Sequence, residues 1–464
     1  MARDHGGFSR AGTGRARLPD GSTVPAQFAR TESPQGPPAP AATPGLGDAD
    51  RALIRESFGR LLAAPDDAMK FLFARLFVEH PELRGLFPLS MAQTRSALAG
   101  LLGRLIAGLD DRESAERLLG QVARDHRKYG VRERHYEPFF DAMVATVREV
   151  SGPNWSDAAD AAWNSAAGYF RAVMKSAAQD VAREPAWWVG EVVQHELRSP
   201  TIAVLTIRPD QPFSYLPGQH LWLQVPRWPR IWRRYSIANV PRENGLLDIH
   251  VRAVPGGLIS STLVSHCAAG ETVILGAARG SLAPPAAPDR NIVCVAGGTG
   301  LAPAKAIIEA VISAVRHGRR RDVTLYLGAR TEVDLYDLYD LEKLRLAYPQ
   351  FTIIPVTRDG TGPDARAGRL PDVIREHASF RDTDVYVSGP AGLVTATARA
   401  LTGRVAPERL HHDPLDALRE ASHRGGLPGG LPGGPPGAGP PGAGPPGAEP
   451  PGAEPPGTGS PGGE

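Results

Sequence analysis

Five short stretches of this chain carry residue types that can do chemistry together. The first is Asp125-His126-Arg127-Lys128-Tyr129, with Tyr136 ten residues beyond the histidine. A neutral imidazole can ligate a metal through one nitrogen if its other nitrogen is held, and Tyr136 can serve as that partner. His80, at a helix end before a proline, and His135, beside Tyr136, are poorer ligand candidates. The second stretch is Arg233-Arg234-Tyr235-Ser236, preceded by Pro217-Gly218-Gln219-His220. An aromatic face there suits a planar ring system, and a bidentate cation suits a pyrophosphate. In the third, Arg252 stands ahead of Gly256, Gly257 and Ser260, where glycines permit close backbone approach and amides face an anion. The fourth, Gly297-Gly298-Thr299-Gly300-Leu301-Ala302-Pro303, follows an apolar strand and opens a helix. Such a turn is a ready site for a dinucleotide pyrophosphate. The fifth is a matching turn, Ser388-Gly389-Pro390, after the last strand.

The elements that must position these residues change texture twice. From Asp48 apolar residues recur at helical spacing: Leu53, Phe58, Leu61 and Leu62 form one stripe, and the segment Ala68 to Val78 continues it until Pro81 stops the helix. A third helix carries Leu98, Leu101, Leu102, Leu105 and Ile106, and further helices are expected over 112–128, 133–150 and 155–182. At Trp187 the pattern turns to short β-rich runs, Val189 to His195, Thr201 to Ile207, His220 to Val225 and Leu247 to Val251, broken by Pro-Gly and Asn-Gly turns, which predicts a small barrel. From Asn291 the rhythm is strand, glycine loop, helix, strand, which predicts a parallel α/β domain with right-handed crossovers.

Composition narrows the class. The 464 residues are enough for two or three domains, and 42% hydrophobic content supports real cores. With 52 basic against 50 acidic residues, no overall field points to nucleic acid or an anionic membrane. Cys267 and Cys294 cannot build a disulfide framework. Neither a signal-like leader nor a run of about 18 apolar residues occurs, so a soluble cytoplasmic protein is expected. Residues 1–47 lack apolar periodicity and read as a disordered leader. Beyond about residue 416 the chain becomes rich in Pro and Gly, and Pro-Pro-Gly-Ala-Gly and its variants recur there at a period of five, which excludes collagen's glycine at every third position. Residues 416–464 read as an extended, disordered tail, with a docking ligand for a proline-binding partner as the sharper alternative.

In this order the motifs resemble those of the flavohaemoglobins, and the resemblance runs from about Leu53 to Asp413. It implies an all-α globin domain over 48–182, a small antiparallel β-barrel FAD domain over 187–288 and an α/β parallel-sheet NAD(P) domain over 289–415. It makes His126 the axial ligand of haem b and Tyr136 the tyrosine that hydrogen-bonds it. Phe87, after Phe77-Val78-Glu79-His80-Pro81-Glu82-Leu83, takes the position whose ring packs on the haem face, and Leu98 joins that pocket. Phe73 and Thr94 occupy the two distal positions. FAD falls to His220, Arg233, Tyr235, Ser236, Arg252, Gly256, Gly257 and Ser260. NADH or NADPH falls to Gly297, Gly298, Thr299, Gly300, Pro303, Ser388, Gly389 and Pro390. After the second strand of this domain, Arg330 could meet a 2′-phosphate, whereas Glu332 and Asp334 argue the other way.

The departures from the family pattern are specific. Phe73 stands where the best-studied members have a distal tyrosine, and Thr94, next to Gln93, where they have a glutamine; a phenyl ring offers no donor to bound dioxygen. Ala178 replaces the glutamate that completes the proximal relay, Asp125 a lysine, and Ser388 a cysteine. Asp413 takes the place of a C-terminal glutamate, and Leu415 that of a flavin-covering aromatic. The resemblance implies a nitric oxide dioxygenase that takes electrons from NAD(P)H through FAD to haem and acts on O2 and NO. The altered pockets leave two alternatives: a haem-based redox or gas sensor with a resetting reductase, and an electron-transfer flavoreductase whose globin domain has degenerated.

Overall fold

The structure is a computed structural model that describes residues 46–284, 290–315, 321–362 and 364–413. The expected leader up to residue 45 and the tail from 414, Leu415 included, lie outside the described residues. The chain divides into two compact units between Pro185 and Ala186.

Among its described residues the first unit carries the helices α1 (Asp48–Leu61), α2 (Pro65–Glu79), α3 (Ala92–Ala107), α4 (Arg112–His126), α5 (Tyr136–Ser151) and α6 (Asp157–Asp180). Local chemistry sets their ends. Pro65 opens α2 with Asp66 and Asp67 in its first turn, where acidic charge meets the positive end of the helix dipole. Asp111 caps α4 by accepting from the Ser114 amide at 3.0 Å, and Ser156 caps α6 by accepting from the Ala159 amide at 3.1 Å. The helix expected from residue 133 begins at Tyr136, because Glu133–His135 closes as a tighter 3-10 turn. One core, with Ile54, Leu72, Val147 and Phe170 fully buried, joins the helices. Trp163 lies inside it and donates its indole N–H to the Ser57 hydroxyl at 2.8 Å.

The second unit starts with β1 (Trp188–Ser199), β2 (Ile202–Pro209), β3 (His220–Gln224), β4 (Arg233–Ser236), β5 (Leu247–Arg252), α7 (Leu258–Ser265) and β6 (Thr272–Arg279). These strands form an antiparallel sheet in the order β4-β3-β6-β1-β2-β5, and a bridge between Ile237 and Ile249 brings its two edges together into a barrel. The α/β part follows: β7 (Asn291–Gly297), α8 (Leu301–Val315), β8 (Val323–Gly328), α9 (Leu338–Ala347), β9 (Phe351–Thr357), β10 (Arg366–Ala367), α10 (Leu370–Val373), β11 (Thr383–Ser388), α11 (Ala391–Leu401) and β12 (Leu410–His411). Its sheet is parallel, in the order β10-β9-β8-β7-β11-β12. The order reverses beside β7, so the loops after β7 and β11 meet at a crevice of the kind that open parallel sheets use for ligands.

Candidate haem, flavin and dinucleotide sites

His126 is the last residue of α4, and Gly130, with a φ of +80°, turns the chain away from it. The residue is half-buried, yet its Nδ1 is sealed from solvent and makes no hydrogen bond. Burial is the main cause that pushes its pKa down to about 4, helped by Lys128 and opposed by Asp125, so the imidazole is neutral at pH 7. Neutrality and a free nitrogen are what a metal ligand needs. Tyr136 is buried at the head of α5, but among the described residues no hydrogen bond joins it to His126, so the expected proximal pair is not closed. Where the family has its glutamate, Ala178 has neighbours Lys175 and Gln179 whose polar ends go to Glu133: Lys175 pairs with it, and Gln179 donates to it at 3.4 Å. Glu133, three residues before Tyr136, is the charged group of this region that sequence reasoning missed.

On the distal side Phe73 is buried and touches two further rings, Phe77 at 5.7 Å between centroids and Phe87 at 5.3 Å, while Phe77 and Phe87 are 5.3 Å apart. Arg84 lies over the Phe77 ring at 5.4 Å and donates to the carbonyls of Phe87, Pro88 and Leu89 at 3.1–3.2 Å, which holds the loop that carries Phe87. Leu86 reaches back to Gly130, 3.8 Å from where a Cβ would stand, so the Phe87 loop and the His126 turn meet. Phe87, Leu98 and Thr94 are half-buried and Gln93 is exposed. A neutral histidine with an orphaned nitrogen, beside partly exposed apolar side chains, fits an iron porphyrin that this imidazole would hold. Among the described residues no cluster of three or more His, Cys, Asp or Glu side chains could hold a bare ion.

The flavin candidates lie on neighbouring strands. In the β3–β4 ladder Ser236 pairs with His220, Tyr235 with Leu221 and Arg234 with Trp222, and the Arg234 guanidinium lies 5.7 Å from the Trp222 ring. Burial pushes the Tyr235 phenol up, so its hydroxyl stays protonated. Gly280, at φ +119°, lets His220 approach: a Cβ there would stand 3.0 Å from the His220 Nδ1. Burial also raises the Asp413 carboxyl, against the pull of Arg234 and His412, which places the last described residue in the field of the Arg-Arg-Tyr-Ser strand. At the head of α7, Gly256 has a φ of +72°, and a Cβ on Gly257 would stand 2.4 Å from the Ser260 hydroxyl. That hydroxyl accepts from the Val254 amide and donates to the Gly257 carbonyl, each at 3.3 Å, which fixes a tight turn with the amides of a helix start. Tyrosine face, arginines and helix start fit a flavin with its pyrophosphate.

Arg252 has its own partners. It pairs with Asp334 at 2.9 Å, and its guanidinium nitrogens lie 3.7 and 3.8 Å from where a Gly298 Cβ would stand. The structure therefore sets this expected flavin ligand against the dinucleotide turn. That turn and the Ser388-Gly389-Pro390 turn touch backbone to backbone. A Cβ on Gly300 would meet Gly389 and Ser388 backbone atoms at 2.6 Å, and one on Gly389 would meet the Gly297 carbonyl at 3.0 Å. Ser388 donates its hydroxyl to the Gly300 carbonyl at 2.6 Å, so the group that replaces a thiol ties the two turns together. Thr299 is half-buried and Pro303 is buried in the first turn of α8. Arg330 is three-quarters exposed and stands 3.5 Å from Asp334, which leaves that carboxylate between two arginines.

The globin family description matches residues 70–174, the oxidoreductase FAD-binding domain residues 190–283 and the oxidoreductase NAD-binding domain residues 294–399. The reductase component 1 of terephthalate 1,2-dioxygenase from Comamonas sp is 33% identical over 243 residues, 51% of this chain and 70% of the relative. A flavohemoprotein from Bordetella pertussis is 26% identical over 394 residues, 78% of this chain and 96% of the relative. Among solved structures, the flavohemoglobin of Malassezia yamatoensis with bound FAD and heme superposes with a TM-score of 0.65 at 14% identity, covering 79% of this chain and 98% of that one, a likeness of fold. Among the described residues no helix is long and apolar enough to cross a membrane.

Proposed function

We propose that this chain, which belongs to the FAD- and NAD-binding oxidoreductases and has the flavohaemoglobin architecture, is a nitric oxide dioxygenase that turns NO and O2 into nitrate at the expense of NAD(P)H. One observation carries the reading: a neutral, half-buried histidine in a globin domain stands in the same chain as a flavin strand and a pair of dinucleotide turns, in the order of the flavohemoprotein relatives. Bound FAD would supply the change from two-electron to one-electron transfer, and bound haem would supply the oxygen chemistry.

The chain's own residues have defined tasks. His126 would hold the iron through a ring nitrogen, and its burial keeps the imidazole neutral for that task. Phe73, Phe77 and Phe87 keep water out of the distal space and donate no hydrogen bond into it. Tyr235 and the arginines beside it seat the flavin ring and its phosphates. The turns at Gly297–Gly300 and Ser388–Pro390 orient the nicotinamide dinucleotide by backbone contact, with the Ser388 hydroxyl as their tie.

The test is NADH-dependent NO consumption by purified, haem- and FAD-loaded protein under air. Turnover well above autoxidation, lost in His126→Ala together with the Soret band, supports the dioxygenase. Turnover no faster than autoxidation, with the NADH-reducible flavin intact, sinks it and leaves an electron-transfer reductase.

A further inference from the structure

Two residues with no role so far form a hydrogen-bond chain that ends on the dinucleotide turn. His250 lies on β5, on the face opposite the barrel-core residues Ile249 and Val251; it is 3% exposed, and its Nδ1 is 3.0 Å from the hydroxyl of Tyr336, itself 5% exposed. The Tyr336 hydroxyl reaches the Gly298 carbonyl at 3.4 Å. A carbonyl can only accept, so the single phenol proton goes to Gly298 and the imidazole must donate from Nδ1. Two facts agree with that assignment. Burial pushes the His250 pKa down to about 4, so the ring is neutral with one N–H, and its Nε2 is buried without a partner. Burial likewise drives the Tyr336 phenol well above its ordinary range, so it keeps its proton.

The segment that carries Tyr336 is held firmly. Asp337 has a φ of +69°, a left-handed conformation that a non-glycine residue adopts only where its surroundings hold it. Its carboxylate is fully buried and pairs with Lys305 of α8 at 2.8 Å, with Arg198 of β1 at 3.6 Å beyond. The chain of contacts thus runs from a barrel strand, through a tyrosine pinned by a buried ion pair, to the carbonyl of the glycine whose amide neighbours face the dinucleotide.

We propose that His250 and Tyr336 are positioning residues for the nicotinamide dinucleotide: their hydrogen-bond chain fixes the Gly298 peptide so that the turn's amides present one geometry to the pyrophosphate. Neither side chain contacts the dinucleotide in this reading, and neither acts on the flavin. The inference rests on the NAD-binding oxidoreductase domains alone and is independent of the globin chemistry.

The experiment uses the full-length, FAD-loaded protein and follows NADH oxidation with ferricyanide, which accepts electrons from the flavin. Tyr336→Phe keeps the ring and deletes the hydroxyl. It is expected to raise the KM for NADH roughly three- to tenfold, the size of one neutral hydrogen bond, with kcat within about twofold and FAD content unchanged. His250→Leu should do the same. His250→Asn, which keeps an N–H donor near the Nδ1 position, should return KM to near the parent value, and the Tyr336→Phe/His250→Leu double variant should be no worse than either single one. An unchanged KM in Tyr336→Phe overturns the proposal. So does loss of FAD in that variant, or an equal defect in His250→Asn and His250→Leu, because each assigns the pair to packing.

Discussion

Phe73 is where this chain's chemistry most depends on a single side chain. Its ring is buried against the rings of Phe77 and Phe87, which offer no donor to a bound dioxygen that would carry partial negative charge. Phe73→Tyr adds one donor without changing the ring. We expect it to slow dioxygen dissociation from the reduced protein about tenfold, measured by stopped-flow displacement with carbon monoxide; an unchanged rate would show that Thr94 or Gln93 already supplies the donor. His250 gives a pH prediction at the same scale. Its folded pKa, about 4, lies below the ordinary 6.5, so between these values the unfolded chain binds the extra proton. Stability is therefore greatest above pH 6.5 and falls as pH drops toward 4. The loss from this one group is about 2 kcal/mol between pH 7 and pH 5. Urea unfolding of His250→Asn should be less sensitive to pH over that span than the parent; an equal slope would locate the acid sensitivity elsewhere.

At the scale of elements, the glycine turns are the parts whose roles follow most directly from local sequence. Gly300→Ala would drive a Cβ into the Gly389 and Ser388 backbone at 2.6 Å, whereas Gly392, on α11 just past the same crevice, has nothing within 4 Å. We expect Gly300→Ala to abolish NADH reduction of the flavin and to cost about 2–4 kcal/mol, and Gly392→Ala to change neither, in rapid-mixing flavin reduction and thermal unfolding. Normal reduction in Gly300→Ala would mean the turns can part. Such turns were legible because a glycine between an apolar strand and a helix advertises its geometry within a few residues. The pairing of Arg252 was not, because its partner Asp334 is remote in the chain and only folding sets it beside Gly298. Arg252→Gln separates the two assignments: retained FAD with a raised KM for NADH fits the placement seen, and lost FAD restores the sequence reading. His250 and Tyr336 escaped notice for the same reason, since a histidine inside a strand looks like any core residue until its partner arrives. The His126–Tyr136 bond was expected from the resemblance and has no counterpart in the hydrogen bonds of this structure, where the neighbouring charge is Glu133.

Over the whole molecule, the cores determine which losses stay local. The globin core is drawn wholly from residues before Pro185, with Met69, Phe140 and Phe170 among its members. The barrel and the α/β sheet share buried surface instead: Ile202 of β2 belongs to the same cluster as Ile292, Leu325 and Tyr386. A ligand that binds only the native form of one core stabilises that core by mass action and leaves an independent one alone. We therefore expect haem loading to raise the unfolding temperature of one calorimetric transition and leave a second unmoved, while FAD raises the second. The same division predicts that protein prepared without haem still reduces ferricyanide with NADH at the parent rate and consumes no NO. A reductase rate that falls with haem content would show instead that the two units fold or work as one.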